Sequence, residues 1–136
     1  MLEKLRKLIE NSYSPVYKYY VAAILECTNG QTFTGVNVET SSPASGICAE
    51  RNALYSAIAH GYKKEDFKAI YLMNKTVEPC FPCFICRQAL VDLCPENLKI
   101  ITYNYDGTKT KEVTIKELCP YPFSSEDLSW KVVLLV

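Results

Sequence analysis

Two short stretches constrain this chain more than anything else in it. GICAERNAL (46–54) and PCFICRQAL (82–90) each put cysteine at the start of a helix-like run, with Cys83 thirty-five positions after Cys48. A helix start carries unpaired N–H groups and the positive end of the dipole, and that field favours thiolate over thiol. Cys83 and Cys86 form a C-x-x-C pair, a spacing that lets two sulfurs chelate one ion. A third ligand must come from elsewhere, and Cys48 is the candidate. Any fold that uses all three has to bring the starts of two separate helices to one point.

Other uses of the cysteines have to be weighed. There are seven, an odd number in a chain of 136 residues, which does not suit a secreted disulfide scaffold. The opening segment, MLEKLRKLIE, reads as an amphipathic helix with Leu2, Leu5, Leu8 and Ile9 on one stripe, not as a signal peptide. A reducing cytoplasm is therefore expected, and there clustered cysteines bind metal or do chemistry. Cys80 extends the pair to C-x-x-C-x-x-C. A closed four-sulfur structural site is thus an alternative, although Pro82 is expected to leave Cys80 ahead of the helix, pointing away. Cys27, Cys94 and Cys119 sit in apolar contexts and read as core filling. The one histidine, His60, lies too far along its helix to share an ion with Cys48. Thiolate-only ligation favours Zn²⁺ over harder ions.

Glu50 separates a catalytic site from a structural one. Three protein ligands leave a fourth zinc position for water, and a carboxylate beside it can move that water's protons. The competing reading is a first-turn glutamate favoured by the helix dipole. Positions i and i+2 do not face each other on a regular helix, so Cys48 must stand at the very start for both side chains to reach one ion.

The rest of the chain reads as one domain, residues 1–136, of α/β class. An apolar run at 18–26 predicts a strand buried on both faces. Asn29-Gly30 predicts a hairpin into an alternating strand at 32–39. Helices are expected over 48–61 and 82–94, the second with Pro82 in its first turn, and strands at 69–74 and 99–104. Asp106-Gly107 marks a turn, and 110–120 is a short strand or helix. This order implies a mixed sheet with helices on its faces. Net charge is zero, with fifteen basic and fifteen acidic residues, which gives no footing for nucleic acid. No apolar run is long enough to span a bilayer.

CAER at 48–51 and P-C-x-x-C-R-Q at 82–88 resemble the zinc-dependent cytidine deaminases of the small, homotetrameric, three-cysteine type. TGVNVE (34–39) is similar to the family's G-x-N-x-E, and LCPYPFSSEDL (118–128) to a later family pattern, so the likeness runs from about Tyr13 to Leu128. The resemblance implies a three-layer fold around a five-stranded sheet. It implies one Zn²⁺ per chain on Cys48, Cys83 and Cys86, with Glu50 carrying protons between the water and the pyrimidine. Asn37 and Glu39 would grip the ribose 3′-hydroxyl, and Ala49 and Tyr19 would also contact the nucleoside. Phe123 would reach into a neighbouring subunit's site. Arg51 and Gln88 would donate to the ligand sulfurs, offsetting the charge of three thiolates. Without the family, Arg51 reads as a surface ion pair, Tyr19 as packing, and Asn37 and Glu39 as a solvated strand face.

Phe84 and Ile85 stand where the family has a glycine and a small neighbour, and Val16 and Tyr20 replace a tyrosine and a proline. These departures bear on substrate choice. The expected activity is deamination of cytidine and deoxycytidine in pyrimidine salvage, by a cytoplasmic homotetramer. The alternatives are a deaminase of a cytosine nucleoside antibiotic of the blasticidin type, a non-catalytic zinc-stabilised nucleoside-binding module, and, more remotely, a nucleic-acid deaminase. Glu39 counts against the antibiotic branch, which resembles N-x-Y there. The apolar tail WKVVLLV (130–136) is unmatched and is expected to pack on its own core or on a neighbouring subunit.

Overall fold

The computed structural model describes residues 1–128; the tail at 130–136 lies outside the described residues. The elements run α1 (Leu2–Ile9), β1 (Val21–Cys27), β2 (Thr32–Val36), α2 (Ala49–Ala59), β3 (Phe67–Asn74), α3 (Phe84–Leu93), β4 (Lys99–Tyr103), β5 (Thr110–Thr114) and α4 (Ile115–Leu118). They build one five-stranded mixed sheet in the order β2-β1-β3-β4-β5. Among the strand pairs of this sheet, in the described residues, only β3–β4 is parallel.

Burial explains why the central strands read as nearly continuous apolar runs. Along β1, Ala22 and Ile24 face one way and meet Leu5, Ile9 and Met73 under α1. Ala23, Leu25 and Cys27 face the other way, into the larger core with Ala53 and Leu54 of α2, Leu90 of α3, and Ile70 and Leu72 of β3. A strand covered on both faces has no solvated side to mark with polar residues. The leucine stripe of α1 closes one face, with Leu5 and Ile9 fully buried; α2, α3 and α4 close the other.

The β1–β2 hairpin turns at Asn29-Gly30, where Gly30 has φ +87° and the Asn29 side chain accepts from the Gln31 N–H at 3.0 Å. Segment 110–120 contains both of the alternatives read from sequence, β5 and then α4, divided by Thr114. Its hydroxyl accepts from the Glu117 N–H, and the Glu117 carboxylate accepts from the Thr114 N–H. Pro82 falls one residue before the α3 cap rather than in the first turn, because Cys83 takes the capping position.

One topological fact places the site. β2 and β3 are both antiparallel to β1, and β4 is parallel to β3, so β2, β3 and β4 point the same way. α2 connects β2 to β3, and α3 connects β3 to β4. Both helices therefore begin at the same edge of the sheet, beyond the C-terminal ends of these strands.

Candidate active site

Cys48 and Cys83 each occupy the N-cap of their helix with extended backbone, φ −77° and ψ 154° for Cys48, φ −64° and ψ 164° for Cys83. Cys86 lies in the first turn of α3 and is buried. The three Sγ atoms all fall within 4.8 Å of one another, and Cys48 and Cys83 are 3.8 Å apart. Zn–S bonds of about 2.3 Å in a tetrahedron require a sulfur–sulfur edge of about 3.8 Å, so the donor set fits zinc. Among the described residues the cluster contains three sulfurs and no fourth, which removes the closed four-cysteine alternative.

The capping geometry resolves the spacing problem. Cys48 is not helical, so its side chain is not bound by the helical rule that separates i from i+2, and Glu50 in the first turn shares its surroundings. Only 6% of Glu50 is exposed. Burial pushes its carboxyl up to about 7, and the charge of the neighbouring Cys48 adds to the rise while Arg51 opposes it. The Cys48 thiol is pushed down to about 5, first by the hydrogen bond from Cys86, then by Arg51 and Cys83, against the opposing effect of burial. Cys86, as donor to Cys48, is pushed the other way. Arg51 brings its guanidinium to 3.7 Å from Cys48 Sγ, while its buried Nε has no partner among the described residues. A cation with a donor to spare beside three sulfurs suits a site that carries negative charge.

These groups meet at a cavity of about 210 Å³ lined by Tyr19, Asn37, Cys48, Ala49, Glu50 and Cys83, together with Val21, Leu72, Asn74, Cys80 and Phe81. Partial burial and then the neighbouring Cys80 raise the Tyr19 hydroxyl above the usual phenol range. Asn37 borders the cavity, but its amide is engaged: Nδ2 donates to the Tyr19 carbonyl at 2.7 Å, and Oδ1 accepts from the Val21 N–H at 2.8 Å. Glu39 does not line the cavity. Its carboxylate accepts from the Ser14 hydroxyl and from the Val16 and Tyr17 N–H groups, and these bonds lower its pKa against the effect of burial.

Three expectations need correction. Gln88 does not donate to the sulfurs: its amide donates to Asp92 at 3.0 Å and to the Phe123 carbonyl at 2.9 Å, because α3 turns that position toward the C-terminal segment. Cys80 does not point away. It stands in the cavity wall, held by Asn74. Cys119 is only partly buried, whereas Cys27 and Cys94 fill the core as expected. Phe123 lies outside this chain's cavity and is 57% exposed. Asn74, at the end of β3, and Leu72, two residues before it, line the cavity without any sequence motif to mark them. His60 ends α2, packed on Phe33 with ring centroids 5.1 Å apart.

Comparison with known proteins agrees with this geometry. The family model described as the zinc-binding region of cytidine and deoxycytidylate deaminases matches residues 1–102. A cytidine deaminase from Halalkalibacterium halodurans is 36% identical over 120 residues, 88% of this chain and 89% of that one. One from Sporosarcina psychrophila is 33% identical over 130 residues, covering 96% and 93%. The crystal structure of a cytidine deaminase from Burkholderia pseudomallei superimposes with a TM-score of 0.85 at 34% identity, covering 90% of this chain and 95% of that one.

Proposed function

Because the chain belongs to the zinc-binding cytidine and deoxycytidylate deaminase family, we propose that it converts cytidine and deoxycytidine, with water, to uridine or deoxyuridine and ammonia. The observation that carries this reading is the buried carboxylate of Glu50 beside three sulfurs, at a cavity open to a small molecule. Cys48, Cys83 and Cys86 would hold the zinc, and the chemistry it would supply is acidification of a water molecule. Glu50 is placed to take a proton from water and deliver it to N3 of the ring as the water oxygen bonds to C4, then to take the proton of the resulting hydroxyl and hand it to the amine, which leaves as ammonia when the C4–N bond breaks. Its burial keeps competing solvent from this exchange. Arg51 holds Cys48 as thiolate. Ala49, with no side chain beyond Cβ, leaves room for the ring edge.

Asn37 and Tyr19 border the sugar and base from the mouth of the cavity. Glu39 serves the sugar through segment 14–17, which it ties down. Phe123 completes the neighbouring subunit's site in a homotetramer, a role supported by its exposure and by the exposed Tyr55, Phe84 and Ile85 nearby on α2 and α3. The enzyme works in the cytoplasm, in pyrimidine salvage, as a single domain. No helix among the described residues is long and apolar enough to cross a membrane.

Loss of cytidine absorbance in the ultraviolet, read beside a zinc count per chain, tests the proposal. One zinc per chain with no turnover of cytidine or deoxycytidine would refute it. The cavity also selects against phosphate. None of its described lining residues is Lys or Arg, and Glu50 is acidic. Cytidine 5′-monophosphate should therefore show a kcat/KM at least about tenfold below that of cytidine, the penalty of an unpaired phosphate near a carboxylate. Equal values would assign the chain to nucleotides.

A further inference from the structure

Segment 75–82 links β3 to α3 and delivers Cys83, the one exposed ligand of the three. It has no strand or helix to satisfy its backbone: Lys75 and Thr76 make backbone bonds to Tyr20 and Tyr105, and beyond them side chains serve its carbonyls. The carbonyl of Val77 accepts from Asn104 Nδ2 at 3.0 Å, that of Glu78 from Asn74 Nδ2 at 3.3 Å and from the Thr76 hydroxyl at 2.6 Å, that of Cys80 from the Thr102 hydroxyl at 2.8 Å, and that of Pro82 from Arg87 Nε at 2.8 Å. Asn74 also grips Cys80 at both ends of the residue. Its Oδ1 accepts from the Cys80 N–H at 3.2 Å, and its Nδ2 lies 3.1 Å from Sγ.

Asn74, Thr102 and Asn104 are 2%, 0% and 3% exposed. Asn74 ends β3, Thr102 lies one residue before the end of its parallel neighbour β4, and Asn104 follows that strand, positions where apolar residues would pack without desolvation cost. Asn74 and Thr102 find their side-chain partners in this irregular segment and would lose them if it moved, whereas Asn104 is also held by Thr108 and Lys109.

We propose that Asn74 and Thr102 are positioning residues for the metal centre: by clamping Cys80 from both strands they hold Cys83 within reach of the ion and set how long the ion stays bound. The inference rests on the functional reading only in requiring zinc at the three sulfurs. Thr102→Val removes the hydroxyl at nearly constant volume and strands the Cys80 carbonyl. Thr102→Ser keeps it.

The test follows zinc release from each holoprotein into excess chromogenic chelator, well below its unfolding temperature. Thr102→Val should release zinc about tenfold faster than the native chain, the usual scale for losing support behind a ligand, and Thr102→Ser should stay within about twofold of native. Ile24→Val, in the core under α1, should lower thermal stability and leave release unchanged. Native-like release from Thr102→Val overturns the proposal. So does equal acceleration by Thr102→Ser or Ile24→Val. If Thr102→Val does not fold, Asn74→Ala stands in, with faster release expected and an unchanged rate again decisive against. A native chain without zinc would refute the functional reading instead, so the two failures are distinguishable.

Discussion

Glu50→Gln is expected to lower kcat for cytidine by about 10³-fold, the scale of a lost general acid–base group, while the protein keeps one zinc per chain. Gln preserves the size and shape of the side chain and can still donate a hydrogen bond, but it cannot accept a proton from water and pass it to a ring nitrogen. The native carboxyl is placed to do both. Burial raises it above the usual carboxylate range, the direction that suits a group that must both accept and donate a proton. Because Glu50 is not among the three ligating residues, its loss leaves the metal site intact. That separates this variant from one that merely drops the ion. Native turnover by Glu50→Gln, with zinc bound, would mean that another group moves the proton. Absence of turnover in both proteins, each with zinc bound, would leave the binding-module reading.

How much of this was legible beforehand depended on whether a feature was local. The hairpin at Asn29-Gly30, the leucine stripe of α1 and the both-faces burial of β1 follow from short-range patterns, and the structure has them. The three-sulfur cluster was legible because ligand spacing and helix starts are both written in sequence. Convergence of Cys48 with Cys83 depends on topology: it requires β2 and β3 to point the same way across an intervening antiparallel strand. Gln88 was misread for a related reason. Its place after the C-x-x-C pair puts it near the sulfurs along the chain, yet the direction of its side chain is set by Asp92 and by a segment thirty-five residues on. Cys80 was misplaced because its orientation is dictated by Asn74 and Thr102, from two different strands. Side-chain partners distant in sequence leave no periodic trace, and there the reading from sequence ran out.

Gly35→Ala is expected to cost about 3 kcal/mol of stability and to lower the melting temperature by about 10 °C, though Gly35 touches neither metal ligand nor cavity. A Cβ at this position would lie 2.3 Å from the Ala49 carbonyl oxygen and 2.5 Å from the Ala53 nitrogen. Both are backbone atoms of α2, so no side-chain rotation relieves the clash, and the helix must lift from β2 by roughly an ångström to reach ordinary contact distance. The backbone of Gly35 is not in the left-handed region; the requirement is closeness, the same closeness that seats the first turn of α2 on the sheet. Cys48 caps this helix and Glu50 lies in its first turn. A helix displaced by about an ångström shifts both relative to the sheet and to Cys83 and Cys86, and misplacement of that size costs about 10²-fold in rate. In whatever fraction of Gly35→Ala remains folded, kcat should fall by that factor and zinc should be held more weakly, both measurable on holoprotein at a temperature where circular dichroism shows it native. Full stability in this variant would show that α2 has slack against β2, and with it that the metal centre does not depend on the seating of that helix.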